Sequence, residues 1–259
     1  MATGVMSAGF RGSRKHVLDW TSKPTFLREL AALVVPARVE IVPLAPHMPR
    51  GDTDFKEARL DTFGPMWLPG SHAWQALRDW WLAHPDRANT PNWDIAVGCL
   101  IEDRPGFVLV EAKANWPELG PGRKRLDEHA STRSLENHEH IAQAIGEACR
   151  GWQVLDSEVH ISMDSHYQLA NRLAFTWKLA TLGIPVVLVY LGFTGDSGIA
   201  DAGRPFADSR DWDEAFSKYA YKMVPPSMFE RRLEVQGCPV WLLSRSCDVI
   251  EVSPSRSGR

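Results

Sequence analysis

Residues 184–190, with the sequence IPVVLVY, form a near-continuous apolar run that constrains the fold more than any other segment. A strand of this composition is typical of a sheet that is covered on both faces. The segment before it begins near Ser165, is rich in bulky apolar residues, and is followed by Gly183. Glycine is common just past the end of a helix. A helix that leads into a buried strand indicates an α/β architecture.

The bulk composition is that of one globular domain. The chain has 259 residues, 44% of them hydrophobic, and a formal net charge of -3. We therefore predict a single domain over residues 1–259, with flexible ends at about 1–15 and 253–259. The four cysteines form no CxxC pair, which disfavours a zinc ribbon. No apolar run has the length of a membrane span and no signal peptide is recognised, so no membrane is expected and the expected location is cytoplasmic.

Periodicity and turn residues place further elements along the chain. Residues 43–69 are rich in Pro, Gly and Asp and are predicted to be an irregular excursion. Helices are predicted over residues 25–35, 71–84, 134–152 and 213–223, and short strands over 39–42, 240–243 and 249–252.

The middle of the chain predicts an antiparallel hairpin. Residues 94–101 and 107–114 read as apolar strands, and the residues between them include Asp103, Pro105 and Gly106, which favour a turn. A four-residue loop over residues 102–105 would place Ile101 opposite Gly106.

That register brings three charged side chains together. Counted outward from the loop, Asp94 faces Lys113 and Ala96 faces Glu111. Opposed residues share a face, and so do residues two apart in a strand. Asp94, Glu111 and Lys113 are therefore predicted to project from one face at one end of the hairpin. A slip of one residue would move Asp94 to the other face.

These residue types suit metal-assisted chemistry at a phosphate. The carboxylates of Asp94 and Glu111 are ligands that Mg²⁺ or Mn²⁺ prefers, and the carbonyl of Ala112 could add a third. Such a metal would polarise a phosphoryl oxygen and lower the pKa of a bound water. Lys113 would stabilise the developing negative charge.

Asp94, a hairpin and then Glu111-x-Lys113 resemble the PD-(D/E)XK superfamily, the restriction-endonuclease-like nucleases. The resemblance covers about residues 71–192. It implies a restriction-endonuclease-like core, in which a mixed central sheet with an antiparallel hairpin is flanked by helices, with N- and C-terminal additions. It also implies that Asp94 and Glu111 bind Mg²⁺ or Mn²⁺, that Lys113 is catalytic, and that the reaction is hydrolysis of phosphodiester bonds in DNA.

Two further groups of residues have open interpretations. Many members of the superfamily place a polar residue, often Gln, on the helix before the last core strand, which makes Gln168 a candidate site residue. Its spacing from Ser165 equally fits a capping box. Arg123, Lys124 and Arg125 follow the hairpin and form either a solvated loop or a nucleic-acid contact.

Competing interpretations lead to different functions. A catalytically inactive relative would use the nuclease scaffold to bind a partner or nucleic acid. In an unrelated α/β protein, Glu111 and Lys113 would be a surface pair. His138 and His140 lie two apart on a predicted helix and point to different sides, so a solvated face is expected there rather than a shared metal ion.

Overall fold

The computed structural model describes residues 10–42, 46–48 and 57–249. Its helices are α1 (Gly12–Thr21), α2 (Phe26–Leu33), α3 (Leu60–Trp67), α4 (Ala73–Trp81), α5 (Thr132–Gln153), α6 (Tyr167–Thr181) and α7 (Ser209–Ala220). Its strands are β1 (Val39–Glu40), β2 (His47–Met48), β3 (Ala58–Arg59), β4 (Asn92–Trp93), β5 (Ile95–Ile101), β6 (Arg104–Lys113), β7 (Val186–Thr194), β8 (Arg232–Val235) and β9 (Cys238–Asp248).

The main sheet is mixed and has the order β1-β5-β6-β7-β9-β8, with β2 also paired to β5. Strands β5 and β6 form the predicted antiparallel hairpin, and β7 runs parallel to both β6 and β9. Every residue of β7 is buried, as its apolar composition predicts. Strands β3 and β4 pair with each other in a separate small sheet. The α/β class is therefore confirmed.

Helices cover both faces of the main sheet. On β6, Val108 and Val110 join a core that includes residues of α1 and α2. Phe107 and Leu109 join the opposite core, which contains residues of α3, α4, α5, α6 and α7. This alternation follows from the two-residue repeat of a strand. It fixes the face on which each later residue of β6 lies. No helix in the described part of the chain is both long and apolar enough to cross a membrane.

The predicted register of the hairpin is wrong by two residues. Ile101 pairs with Arg104, not with Gly106, and Ala96 pairs with Leu109 rather than with Glu111. Only Glu102 and Asp103 form the loop, and both have left-handed backbone conformations, with φ of 50° and 62°. Two left-handed residues are typical of the type I′ turn, whose twist matches that of the paired strands. Pro105 lies within β6 rather than in the turn.

The two-residue shift leaves every side chain on its predicted face. Ile95 pairs with Val110, so the next position outward sets Asp94 beside Glu111 and not beside Lys113. Because side chains alternate with a period of two, an even shift moves residues along the strand without turning them over. The predicted face of Asp94, Glu111 and Lys113 is therefore unaffected by the error in loop length.

Tertiary packing creates elements that local sequence signals missed. Helix α3 lies inside the predicted irregular excursion, of which residues 43–45 and 49–56 fall outside the described residues. A Cβ on its Gly64 would come within 2.4 Å of the Trp74 ring, so the glycine allows α3 to pack closely on α4. Helix α1 begins at Gly12, inside the predicted flexible arm. The predicted tail at 253–259 lies outside the described residues.

Two predicted boundaries near the C-terminus are also wrong. Helix α7 begins at Ser209 rather than near residue 213, because the side chain of Asp208 accepts a hydrogen bond from the Asp211 N–H and caps it. The predicted strand at 240–243 is part of β9, which extends without a break to Asp248. Of the predicted strand at 249–252, Val249 follows the end of β9 and residues 250–252 lie outside the described residues.

Candidate active site

The last residues of β6 carry two buried charges. Glu111 and Lys113 alternate with Ala112, which belongs to the core on the α1 and α2 side, so both project toward the helices of the opposite face. Their exposed fractions are only 2% and 5%. The competing interpretation of Glu111 and Lys113 as a surface pair is therefore wrong. Charged groups at this depth require partners.

Glu111 is bound by two cations. Its Oε1 accepts a hydrogen bond from Lys113 Nζ at 2.5 Å. Its Oε2 accepts a hydrogen bond from Arg172 Nε at 2.7 Å and forms an ion pair with Arg172 Nη2, also at 2.7 Å. Burial alone would raise the pKa of Glu111, but the charges of Arg172 and Lys113 and their hydrogen bonds outweigh that effect and hold it below its usual value. Glu111 is therefore ionised at neutral pH.

Gln168 holds the other side of Lys113. Its Oε1 accepts a hydrogen bond from Lys113 Nζ at 3.0 Å. The alternative role of Gln168 in a capping box with Ser165 is not realised, because α6 begins at Tyr167 and His166 precedes it in a left-handed conformation, with φ of 52°. The first turn of α6 therefore directs Gln168 to the C-terminal end of β6.

Asp94 lies in the chain between β4 and β5. It completes a cluster with Glu111, Lys113, Gln168 and Arg172. Its Oδ2 accepts a hydrogen bond from the Ala112 N–H at 2.8 Å, which fixes the carboxylate beside the backbone that joins Glu111 to Lys113. Burial, and next the negative charge of Glu111, raise the pKa of Asp94 from 3.8 to about 7, although Lys113, the Ala112 hydrogen bond and Arg172 act against the shift. Asp94 is thus close enough to Glu111 for the negative charge of Glu111 to raise its pKa.

We expect Asp94→Asn to raise the thermal midpoint of the metal-free protein at pH 8, by about 2–4 °C for each kcal/mol gained in a chain of this size. A carboxyl group whose pKa rises on folding contributes most stability below its unfolded pKa, and loses that contribution as pH rises to about 7. Asparagine can still accept from Ala112 but carries no charge. Thermal unfolding between pH 4 and pH 8 measures the difference, which should shrink toward pH 4.

The matched control is Asp164→Asn, at an exposed position. It should leave the midpoint unchanged across the same pH range. An Asp94→Asn protein whose midpoint follows the wild-type curve at every pH would contradict the raised pKa of Asp94.

Arg172 is the residue that sequence analysis missed. It lies on α6 one helical turn after Gln168, is 7% exposed, and stacks its guanidinium 4.6 Å from the centre of the Trp93 ring. Its Nη1 also donates to Asn171 Oδ1 at 2.7 Å. An arginine in the middle of an otherwise apolar helix was the available signal, because arginine is almost never fully buried without a partner.

The cluster offers oxygen ligands for a hard divalent cation. The N–H and C=O of one strand residue point to the same side, so the Ala112 carbonyl is directed toward the side on which Asp94 binds its N–H. In the described residues, no group of three His, Cys, Asp or Glu side chains forms a metal cluster. Mg²⁺ does not require one, because it keeps several waters and often binds through one or two carboxylates.

The basic loop, which contains Arg123, Lys124 and Arg125, lies against the start of α6. Tyr167 N–H donates to Gly122 O at 2.8 Å, Lys124 N–H donates to Met163 O at 3.1 Å, and Lys124 Nζ stands 5.0 Å from the centre of the Tyr167 ring. Burial lowers the pKa of Lys124. Arg123 and Arg125 are exposed. The loop is therefore attached one residue away from Gln168, although it is not part of the Glu111 cluster.

Lys124 and Arg125 line a cleft of about 940 Å³. Its other walls come from the segment after α4 and from the first turns of α5, and they add Arg133, His84 and Asn137. Basic and hydrogen-bonding side chains in such a cleft can contact phosphate and sugar groups.

His138 and His140 bind separate parts of the backbone. The Nε2 of His140 donates to Asp79 O at 2.9 Å, and that of His138 lies 3.4 Å from Lys124 O. Both are half-buried, so the expected solvated face is only partly correct. Their divergent partners agree with the prediction that they do not share a metal ion.

Comparison of the chain with protein-family models, with curated proteins and with solved structures gives no match. The interpretation of the site therefore depends on its own geometry and electrostatics.

Proposed function

We propose that the protein is a metal-dependent nuclease that hydrolyses phosphodiester bonds in DNA. One observation carries the proposal: Asp94 is hydrogen-bonded to the backbone between Glu111 and Lys113, so two carboxylates and an ammonium group meet at one end of paired strands. Burying three such groups is costly unless they act together. A pKa near 7 for Asp94 is also the kind of perturbation that marks functional sites.

The residues fit a single Mg²⁺ or Mn²⁺ ion. Asp94, Glu111 and the Ala112 carbonyl would hold it, with water completing its coordination. When bound, the ion would polarise a phosphoryl oxygen and increase the acidity of a coordinated water. Burial and the charge of Glu111 disfavour ionisation of Asp94. A positive ion beside Asp94 would oppose both effects.

Lys113 would act on the phosphate. Its ammonium group has three donors, and its hydrogen bonds within the described residues go to Glu111 and Gln168. A third donor is thus available for a phosphoryl oxygen or an attacking water. Gln168 would keep the ammonium group at the end of β6, which makes Gln168 a positioning residue.

The order of elements supports the proposal. Helix α4, the hairpin β5–β6, helices α5 and α6 and strand β7 occur in this order along the chain, with β7 parallel to β6. The resemblance to the PD-(D/E)XK superfamily implies the same arrangement of a helix, a hairpin, a helix and a buried strand.

The basic loop would guide the nucleic acid. Lys124 and Arg125 in the cleft, with Arg123 beside it, would contact backbone phosphates. Lys124 stands over Tyr167, the neighbour of Gln168, so a strand held in the cleft would pass close to the helix turn that positions Lys113.

Cleavage assays at varied pH test the proposal. With Mg²⁺ or Mn²⁺, single-stranded, duplex or branched DNA should be cut, and EDTA should stop the reaction. Activity should rise as pH approaches 7, because binding a cation requires ionised Asp94, whose pKa in the metal-free protein is about 7. Intact DNA of all three kinds, at every pH and with both metals, would contradict the proposal.

A second candidate function is supported by Arg172. Two cations already neutralise Glu111, as would suit a site that never binds metal. The protein would then be a catalytically inactive nuclease-like scaffold that binds nucleic acid or a partner. It would bind DNA through Arg123, Lys124 and Arg125 without taking up Mn²⁺, and Asp94→Asn would not change its affinity for DNA. Calorimetry with Mn²⁺ distinguishes the two functions.

A further inference from the structure

Arg172 occupies the carboxylate that the proposed metal site needs. Its Nε donates a hydrogen bond to Glu111 Oε2 and its Nη2 forms an ion pair with the same oxygen, both at 2.7 Å, while Lys113 binds Oε1. The guanidinium group of Arg172 is charged, because arginine does not deprotonate in proteins. Trp93 and Asn171 hold the guanidinium from two other sides. Arg172 is therefore a fixed internal counter-ion.

The cluster already contains two cations before any metal arrives. The ammonium group of Lys113 and the guanidinium group of Arg172 both contact the carboxylate of Glu111. A divalent cation would add two positive charges to a buried site that already contains two cations. Like charges repel strongly where water is scarce. A phosphodiester of the substrate carries one negative charge and would offset half of that added charge.

We propose that Arg172 makes cation binding depend on the presence of nucleic acid, an inference that rests on the proposed function. It competes with the cation for Glu111, so the metal-free cluster binds a divalent ion weakly. A phosphodiester beside Lys113 supplies the negative charge that lets the cation and Arg172 coexist. By reciprocity, the cation then increases the affinity for nucleic acid by the same factor. Arg172 is thus a positioning residue for Glu111, acting on uptake of the metal.

Binding of Mn²⁺, followed by electron paramagnetic resonance, tests this directly. The probes are two DNA strands of one sequence, one with charged phosphorothioate linkages and one with uncharged methylphosphonate linkages, each corrected for Mn²⁺ bound by DNA alone. Wild-type protein should bind Mn²⁺ about tenfold more tightly with the charged strand, within the usual range of such coupling, and should not respond to the uncharged strand.

Two variants test whether the positive charge of Arg172 is responsible: Arg172→Met removes it and Arg172→Lys keeps it. Without DNA, Arg172→Met should bind Mn²⁺ about tenfold more tightly than wild type, and the response to charged DNA should nearly disappear. Arg172→Lys keeps a cation and should retain the response. If Arg172→Met does not fold, the wild-type comparison still tests the inference, because equal Mn²⁺ affinity with charged and uncharged DNA overturns it.

The possible failures are distinguishable. Equal Mn²⁺ affinity of wild type with and without charged DNA would overturn the role of Arg172 and leave the proposed nuclease function standing. Equal affinity of wild type and Arg172→Met in the absence of DNA would do the same. If neither protein binds Mn²⁺ under any condition, both the inference and the proposed function are wrong.

Discussion

Lys113→Met is expected to slow DNA cleavage by about 10²–10³-fold, the usual effect of removing one donor that stabilises charge in a transition state. Methionine keeps much of the apolar stem but cannot donate to a phosphoryl oxygen. Glu111 would keep its hydrogen bond and ion pair with Arg172, so the carboxylate stays in place. Single-turnover cleavage with saturating Mg²⁺ measures the rate, and circular dichroism checks that the variant is folded.

Lys178→Met is the matched control for that experiment. Lys178 lies on α6, outside the cluster, near Glu147 and over the Trp80 ring. It should leave the cleavage rate unchanged. Gln168→Ala should slow cleavage less than Lys113→Met, because it loosens the ammonium group without removing it. A Lys113→Met protein that cleaves at the wild-type rate would show that Lys113 has no catalytic role.

Glu111→Ala is expected to destabilise the metal-free protein by about 3–5 kcal/mol, the cost of removing one partner from a buried ion pair. Lys113 and Arg172 would both remain buried with their shared counter-ion gone. Glu111→Gln should be less harmful, because its amide oxygen can still accept one hydrogen bond. Urea unfolding at pH 7, followed by tryptophan fluorescence, gives the free energy of unfolding for each variant.

Glu214→Ala provides the comparison at the surface. Glu214 pairs with Lys218 at 2.5 Å, but both side chains are more than half exposed. Exposed pairs contribute little to stability, so this variant should unfold at the same urea concentration as wild type. If Glu111→Ala also does so, the ion pairs of Glu111 do not stabilise the fold.

The features of the fold that depend on the pattern of neighbouring residues could be predicted from the sequence. The buried strand β7, the hairpin and the helix ending before Gly183 follow from apolar runs and glycine placement. The shared face of Glu111 and Lys113 follows from the period of a strand alone. The face of Asp94 was also predicted, although the loop length was not, because the error was an even number of residues.

Features that join distant segments could not be read from local pattern. Helix α3 contains Pro65 and Gly64, which argue against a helix locally, yet its Leu60 and Phe63 are buried in the core. Gln168 fits a capping box by spacing, but the direction of the chain entering α6 sends it to Lys113. In both cases the contact partner is remote in sequence, and its position depends on how the layers pack.

The sequence by itself determined that this chain is an α/β protein with two carboxylates and a lysine at the end of a hairpin. Alternation along β6 requires Glu111 and Lys113 to share a face, whatever else surrounds them. Only the tertiary structure decided what meets them there. Packing of α6 on the sheet brings Arg172 to Glu111 and Gln168 to Lys113. In both pairs the partners are more than fifty residues apart in sequence. Burial then makes those charges interact strongly, because little water remains to screen them.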